Sequence, residues 1–430
     1  MMMLDHRVLT IVVILLYFFF FIIIPPVFCA ESLEEAWEIA LVYDHSLQSV
    51  IKKTEAAKKI LAAAKALRLP NLDFNGGYTV VDDEPALNFG GAAIPMAQDE
   101  FLTWSTMASI PIFTSWAISN GIDAAESSLA AASINQDIEK QNLKLKVAEA
   151  YVFVLRSTRQ FAVAKSHVES LASHATDVEN LYSQGFVAVN DLLAAKVSLA
   201  DAVQNELQVK NRLDIARSAY NRLLGFPLIR IVDLVEIKLD RPEQDLATLS
   251  CAALDIRHEL KILARMIDVM YSTAKVKAAA SRPQIAVSGG YKYTENEYME
   301  SEKEWAATLG LKWNFFDGGL ARHKAGAIKR QAQALYEKRE DVKTLITLQL
   351  RQAWLNLEES HKRVEVTQKA LAQGEENLKV VKDRYQEGLA TNTEVLDAET
   401  LRTLSHFNYD SAVYDASLSI LRLHRAVGDL

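Results

Sequence analysis

The chain carries one long unit twice. Tyr182-Ser183-Gln184-Gly185 returns 203 residues later as Tyr385-Gln386-Glu387-Gly388, and Arg222-Leu223-Leu224-Gly225 returns at the same spacing as Arg425-Ala426-Val427-Gly428. Phe113 and Phe316, each closing an alternating apolar run, keep that spacing too. Nearer the start of each copy the spacing is 213: Ala40-Leu41 matches Ala253-Leu254, His45 matches His258, Leu47 matches Leu260, and Gly76-Gly77-Tyr78 matches Gly289-Gly290-Tyr291. Duplication on this scale restricts the fold to one built from two equivalent halves. The difference between the spacings places ten extra residues in the first copy, between Tyr78 and Phe113. An insertion that leaves both flanks in register marks a surface loop.

Half of the 430 residues are hydrophobic and only 9 are Pro and 16 Gly, a composition suited to long helices. A net charge of −8, with no basic stripe, argues against a nucleic-acid partner. Residues 1–30 read as a secretory signal: His6-Arg7, an apolar run from Val8 to Ile24, Pro25-Pro26, and small Ala30. Phe28 is bulky at the third position before a cut after Ala30, so an uncleaved anchor is the other reading of this run. Cys29 follows Phe28 rather than a small residue, which argues against acylation. Cys251 then stands alone, which allows no internal disulfide, zinc site or thiol relay. No segment after residue 30 could span a bilayer as a helix, so any further crossing must use strands.

Within each half the apolar period changes. Ser32 and Glu35 form a capping box that opens a helix, with a stripe of Leu33, Trp37, Ala40, Leu41, Leu47, Val50, Ile51 and Leu61 that stops at Leu69-Pro70. The period then becomes two. Leu72, Phe74, Gly76, Tyr78 and Val80 alternate with Asp73, Asn75, Gly77 and Thr79; Leu102, Trp104, Thr106, Ala108, Ile110 and Ile112 alternate with small or polar residues. The second half repeats this with Ile285, Val287, Gly289, Tyr291, Tyr293 and with Trp305, Ala307, Leu309, Leu311, Trp313, Phe315. Runs of about ten residues with one apolar and one small or polar face suit membrane β-barrel strands. The aromatics Tyr78, Trp104, Tyr291, Tyr293, Trp305 and Trp313 suit its girdles. A soluble hairpin with one buried face shares the pattern. Each half thus supplies one hairpin, at 71–113 and 284–316, the first with a turn near Asp82 to Glu100.

Long helices follow, from Ser115 to Gln184 and from Asp317 to Glu387, each about 100 Å at the usual rise. Gly185 and Gly388 break them and permit a reversal. The returning helices end near Gly225 and Gly428. A first helix and a returning helix together match one long helix, so two short ones stacked end to end could line it. The segment 227–247, with Pro227, Pro242 and alternating Leu228 to Val232, links the halves and has room for a short strand.

This order of helix, hairpin, long helix, Tyr-x-x-Gly turn and returning helix, given twice after a secretory signal, resembles the TolC-like outer-membrane efflux channels. The resemblance covers about residues 32–430. It implies a mostly helical chain with membrane β-structure, a duplicated helix–β-hairpin–long helix–helix unit, whose homotrimer forms a 12-stranded β-barrel continued by an α-helical barrel. The repeats span 31–226 (coiled coil 115–226) and 248–430 (coiled coil 317–428). The implied role is passive conduction across the periplasm and outer membrane, in a tripartite efflux or type I secretion system, with outer-membrane lipid around the barrel. The implied partners are a periplasmic adaptor and an inner-membrane pump.

The resemblance also implies site residues. Glu394 and Asp397, six and nine residues past Gly388, take the positions of an acidic ring at the channel entrance; crowded carboxylates there should raise one another's pKa. Their spacing places both on one side of a helix. Asp191 holds the first-half equivalent of Glu394, and Ala194 that of Asp397. Tyr385 matches a tyrosine that ties neighbouring coils, with Asp191 as its expected hydrogen-bond partner. Ala390 stands where the family has an arginine, which puts the charged latch in doubt. The two turns, at Gly185, Val187, Val189, Gly388, Leu389 and Thr391, would meet the adaptor.

Motifs for chemistry are missing: there is no Gly-x-Ser-x-Gly elbow, phosphate-cradling glycine loop or His-Glu-x-x-His. No catalytic residue, cofactor or metal is expected. His167 and His174, seven apart, read as ordinary helix residues, and His45 and His258 as residues where helices turn. Two readings of other classes share part of the pattern: a secreted or periplasmic structural coiled coil, which would lack paired amphipathic hairpins, and the periplasmic adaptor itself, which would have a single helical hairpin.

Overall fold

The computed structural model describes residues 30–237 and 239–430. The expected signal, apart from Ala30, lies outside the described residues. In chain order the elements are α1 (Leu33–Tyr43), α2 (His45–Ala66), β1 (Asn71–Val80), β2 (Ala86–Phe89), β3 (Ala92–Pro95), β4 (Glu100–Phe113), α3 (Ala117–Ser183) and α4 (Val189–Leu224). The second copy gives α5 (Leu246–Ile256), α6 (His258–Ala278), β5 (Gln284–Thr294), β6 (Lys303–Lys312), α7 (Leu320–Gln386) and α8 (Asn392–Val427). The duplication extends to element lengths. The long helices α3 and α7 have 67 residues each, the returning helices α4 and α8 have 36 each, and α1 and α5 have 11 each.

One expected helix is two. The capping box of Ser32 and Glu35 forms, with Ser32 N–H on Glu35 Oε2 at 2.9 Å and Glu35 N–H on Ser32 Oγ at 3.2 Å. The helix it opens ends at Asp44, whose backbone turns extended (φ −65°, ψ 117°) while its N–H still reaches the Ala40 carbonyl. Arg257 makes the same break (φ −54°, ψ 122°) before His258. His45 and His258 therefore each begin a helix, as their equivalence suggested. The apolar stripe runs on through the break, which is why it hid the break.

The described residues fall into two compact units. One comprises His45–Leu143, Glu243–Leu355 and Leu423–Leu430 and contains the strands. Its antiparallel sheet has the order β1-β4-β5-β6. Register decides which side chains share a face. Phe74 pairs with Thr106, Gly76 with Trp104 and Tyr78 with Leu102. Trp104 pairs with Tyr293, Thr106 with Tyr291 and Ile110 with Val287. Val287 pairs with Leu309, Ile285 with Leu311 and Tyr291 with Trp305. The apolar sets of all four strands thus share one face. Asp73, Asn75, Ser105, Ser288, Lys292, Glu304 and Thr308 share the other.

On the apolar face Phe74, Trp104, Tyr291, Tyr293 and Trp305 form a belt with ring centroids 5.0–6.2 Å apart. Further aromatic pairs, Phe113 with Trp116 and Trp313 with Phe315, sit at the helix-side ends of the strands. β6 stops at Lys312, short of the expected 316, because its partner runs out: Gln284 pairs with Lys312 and is preceded by Pro283, which has no N–H to donate.

Two local features were not expected. The ten-residue insertion builds its own hairpin, β2 with β3, around Gly90-Gly91, both at positive φ (66° and 96°). Leu87, Phe89 and Ile94 flanking two glycines are the signal that could have revealed it. The corner between β4 and α3 also holds two non-glycine residues at positive φ, Ser115 (52°) and Trp116 (64°), at the positions where the second copy has Gly318 (65°) and Gly319 (85°). Ser115 is buried and donates its hydroxyl to the Pro283 carbonyl at 2.5 Å, which holds the corner in that conformation.

The other unit comprises residues up to Asp44, Lys144–Pro242 and Asn356–Arg422. It is helical, with Tyr151, Tyr220, Leu224 and Leu357 among its largest buried side chains. The expected strand in 227–247 reduces to a single parallel bridge between Glu31 and Leu234. The buried Glu31 carboxylate receives the Tyr220 hydroxyl at 2.7 Å and Arg230 Nη2 at 3.1 Å, while its carbonyl accepts the Tyr151 hydroxyl at 2.7 Å. Side-chain anchoring replaces the extended ladder. Among the described residues no helix is long and apolar enough to cross a membrane.

Candidate functional site at the helix turns

Both long helices end in the same device. Gly185 takes φ +78°; its N–H bonds the Tyr182 carbonyl at 2.9 Å and the Phe186 N–H reaches back to Leu181 at 2.9 Å. Gly388 takes φ +73°; its N–H bonds Tyr385 at 3.0 Å and the Leu389 N–H bonds Arg384 at 2.8 Å. These are Schellman caps, in which the left-handed residue must lack a side chain to avoid strain. The tyrosine of Tyr-x-x-Gly supplies a carbonyl to the cap, so its side chain is free for other work.

The two tyrosines use that freedom differently. Tyr182 is exposed. Tyr385 packs against the cluster of Ala175, Val178, Leu192 and Ala195 and sets its ring edge-on to His174, centroids 5.3 Å apart. Its hydroxyl is buried and makes no hydrogen bond among the described residues. The expected bond to Asp191 is therefore not made in the single chain. Burial, then the nearby Asp191 and Asp177 carboxylates, push the phenol pKa up.

A neighbouring residue makes the link instead. Asn392, buried at the start of α8, donates Nδ2 to the Asp191 carbonyl at 3.0 Å, and its Oδ1 lies 2.7 Å from His174 Nε2. With Asn392 Nδ2 donating, Oδ1 is the acceptor and His174 Nε2 carries the proton. This knot joins α3, α4 and α8. A second knot lies farther up: the fully buried Glu399 of α8 meets Lys382 Nζ of α7 at 2.5 Å and the Ser170 hydroxyl of α3. Neither Asn392 nor Glu399 was singled out by the sequence.

The acidic positions lie at the start of α8. Glu394 completes a capping box with Thr391: its Oε2 accepts the Thr391 N–H at 2.6 Å, and its own N–H bonds Thr391 Oγ1 at 3.3 Å. Those Thr391 hydrogen bonds hold the Glu394 carboxyl below the usual carboxylate range within one chain; the rise expected for a crowded ring concerns carboxylates of neighbouring copies. The motif Thr391-x-x-Glu394 was legible in the sequence as a box. Asp397, one turn further on, is exposed.

Of the turn positions, Val189 and Leu389 are exposed, whereas Val187 packs partly into the Ala175–Val178 cluster. Phe186 is 74% exposed. It holds the position after the glycine in the first turn, as Leu389 does in the second. Sequence reasoning missed it, although that equivalence marks it. Each turn therefore presents a large exposed apolar side chain directly after its glycine.

Known proteins share this plan. The sequence profile of the outer membrane efflux protein family matches residues 37–226 and 249–428. Outer membrane protein TolC of Vibrio cholerae is 22% identical over 419 residues, covering 93% of this chain and 91% of that one. Alkaline protease secretion protein AprF of Pseudomonas aeruginosa is 23% identical over 414 residues, covering 93% and 85%. The solved structure of the Campylobacter jejuni CmeC outer membrane channel is 14% identical in sequence and superposes with a TM-score of 0.82, covering 92% and 85%. With both of its repeats matched over their length, the chain belongs to the outer membrane efflux protein family.

Proposed function

We propose that the chain is the outer-membrane conduit of an efflux or type I secretion system. The observation that carries this reading is the common register of the four strands. It gathers Leu72, Phe74, Val287, Leu309 and Leu311 on one face with an aromatic belt, and small or polar residues on the other. Such a sheet suits lipid on one side and water on the other. Its outer strands, β1 and β6, have no partner on their free edges among the described residues. Four strands are too few to close a barrel, so copies of the chain must complete it. Three copies, giving twelve strands, is the assembly proposed. Relatives named for the outer membrane and for protease secretion support export as the task, with energy from an inner-membrane pump and contact through an adaptor.

In this reading the helix turns form the entrance. Tyr385 and Asp191 act in the gate, Glu394 and Asp397 line its mouth, and the tips at Gly185, Val189, Gly388, Leu389 and Thr391 meet the adaptor. No residue catalyses a reaction. A structural coiled coil would have no use for a one-sided apolar sheet. The test is fractionation followed by conductance. The protein should require detergent for extraction from outer membrane, run as a trimer, and open cation-sensitive channels in planar bilayers. A soluble monomer without conductance would overturn the proposal.

A further inference from the structure

A pocket of about 640 Å³ opens between the end of α6 and the start of α7, in the unit that contains the strands. Arg282, Arg322, His323, Lys329 and Arg330 line it, and all five are exposed. Its volume lies within the range of ligand pockets.

Neither wall carries a carboxylate. No Asp or Glu occurs from 269 to 294 or from 318 to 336. Ion pairs on the two helices lie elsewhere, as between Arg265 and Asp268 and between Lys338 and Asp341. Among the described residues none involves Arg282, Arg322, Lys329 or Arg330. The helix start makes these cations costly. α7 has Arg322 and His323 in its first turn and no acid there, where the helix dipole disfavours positive charge. Asp317, just before the helix, spends its carboxylate on the N–H groups of Gly319 at 2.9 Å and Ala321 at 2.8 Å.

The first copy serves as an internal control. The positions equivalent to 318–336 are 115–133, which contain Asp123 and Glu126 and no Lys or Arg. There Glu126 pairs with Lys65 at 3.0 Å. The same helix start is thus built without unpaired cations in one half, so the architecture does not require them in the other.

The level of the pocket identifies the anion that would answer this charge. Ser281, in its lining, accepts the Trp313 indole N–H on its carbonyl at 3.2 Å. Trp313 and Phe315 stand at the helix-side end of the strands, continuing the apolar alternation of β6. Tryptophan collars mark a membrane–water boundary, and long basic side chains beside them reach lipid headgroups.

We propose that this pocket holds the headgroup of an anionic phospholipid from the leaflet on the helix side. The lipid phosphate pairs with Arg282, Arg322, Lys329 and Arg330, and the acyl chains run past Trp313 along the apolar face. The inference rests on the conduit reading and adds a lipid partner to it.

The test titrates the full chain in detergent micelles with dioleoylphosphatidylglycerol or dioleoylphosphatidylcholine and counts bound lipid by native mass spectrometry. The anionic lipid should bind at least about tenfold more tightly. The triple variant Arg322→Gln, Lys329→Gln, Arg330→Gln should lose that preference. Glutamine keeps the helix, and the substituted side chains are exposed; a thermal melt checks folding. Lys58→Gln with Lys59→Gln, which removes exposed charge from α2, should keep the preference. The proposal is overturned if the parent shows no preference, if the triple variant retains it, or if the α2 variant loses it equally. Displacement of the lipid by millimolar inorganic phosphate would mean a small-anion site and overturn it too. So would a triple variant that keeps its lipid preference but changes the ion selectivity of the channel, which would place these cations in the bore. Failure of the conduit reading has a different signature: the protein would take up neither lipid, rather than both alike.

Discussion

Lys382 and Glu399 form an ion pair that is the sign-inverted copy of another in the same unit. The pair joins α7 to α8 at 2.5 Å, with the carboxylate fully buried. Its first-half equivalents, 203 residues earlier, are Glu179 and Lys196, which join α3 to α4 at 2.9 Å with both side chains half exposed. The position has kept a cross-helix ion pair while exchanging the charges. Only the second-half pair is desolvated.

That difference in burial predicts unequal costs. Removing Lys382 leaves a buried carboxylate without its cation, which costs several kcal/mol in fully buried pairs. The lysine head is 35% exposed, so a loss near the low end, about 2–3 kcal/mol, is expected for Lys382→Met. Lys196→Met, at the exposed pair, should cost no more than about 0.5 kcal/mol. The double exchange Lys382→Glu with Glu399→Lys should recover part of the loss. Chemical denaturation of the purified protein checks this; equal costs at the two pairs would refute the burial argument.

Glu394 has two duties that can be separated. As the partner of Thr391 it caps α8, and in the proposed entrance it contributes charge. Glu394→Gln keeps the reciprocal cap, since glutamine serves in a capping box, but removes the charge. Together with Asp397→Asn it should therefore weaken block of single-channel current by divalent cations while leaving the melting temperature unchanged. Glu394→Ala should lose both, weakening the block and lowering the melting temperature. If the Gln–Asn variant blocks like the parent, these carboxylates do not line the entrance.

The same carboxylate gives the second turn a pH dependence. The folded pKa of Glu394 is depressed by its Thr391 bonds. A depressed carboxylate stabilises the folded form above its unfolded pKa, near 4.3, and the contribution is lost as pH falls through the lower folded value. Intrinsic-rate-corrected hydrogen exchange of the 388–398 segment should lose protection below about pH 4. In Glu394→Gln the protection should stay level. Parallel loss in both proteins would assign the effect to another group.

The parts of this architecture that follow a period were legible in the sequence, and the parts that depend on a single contact were not. Leu72 to Val80 and Trp305 to Leu311 announce strands because a side chain on every second residue must share a face. The Tyr-x-x-Gly repeat announces two identical caps because only a residue without a side chain suits Gly185 and Gly388. By contrast, the break at Asp44 changes two backbone angles without interrupting the apolar stripe. The corner at Ser115-Trp116 shows no glycine, and only alignment with Gly318-Gly319 betrays it. Glu399 looks like any helix carboxylate until Lys382 and Ser170 are brought against it. Tyr385 was named for a bond to Asp191, but its hydroxyl is unpaired among the described residues, while Asn392, which no pattern marks, reaches the Asp191 backbone carbonyl.

The shared face of the sheet gives the most direct test of membrane placement. Leu309 pairs with Val287, and Leu311 with Ile285, so both project on the apolar side, while Thr308, opposite Ser288, projects on the other. Leu309 and Leu311 are largely exposed in the single chain, so an arginine there meets no steric obstacle. In a lipid-facing position an arginine costs about 2–4 kcal/mol near the bilayer midplane, and on the water side close to nothing. Leu309→Arg or Leu311→Arg should therefore reduce the protein recovered from outer membrane severalfold, whereas Thr308→Arg should leave it unchanged and alter conductance instead. Because adjacent residues differ only in the face they occupy, local helix or strand propensity cannot produce this contrast. Equal recovery of all three variants would mean that the apolar face does not meet lipid.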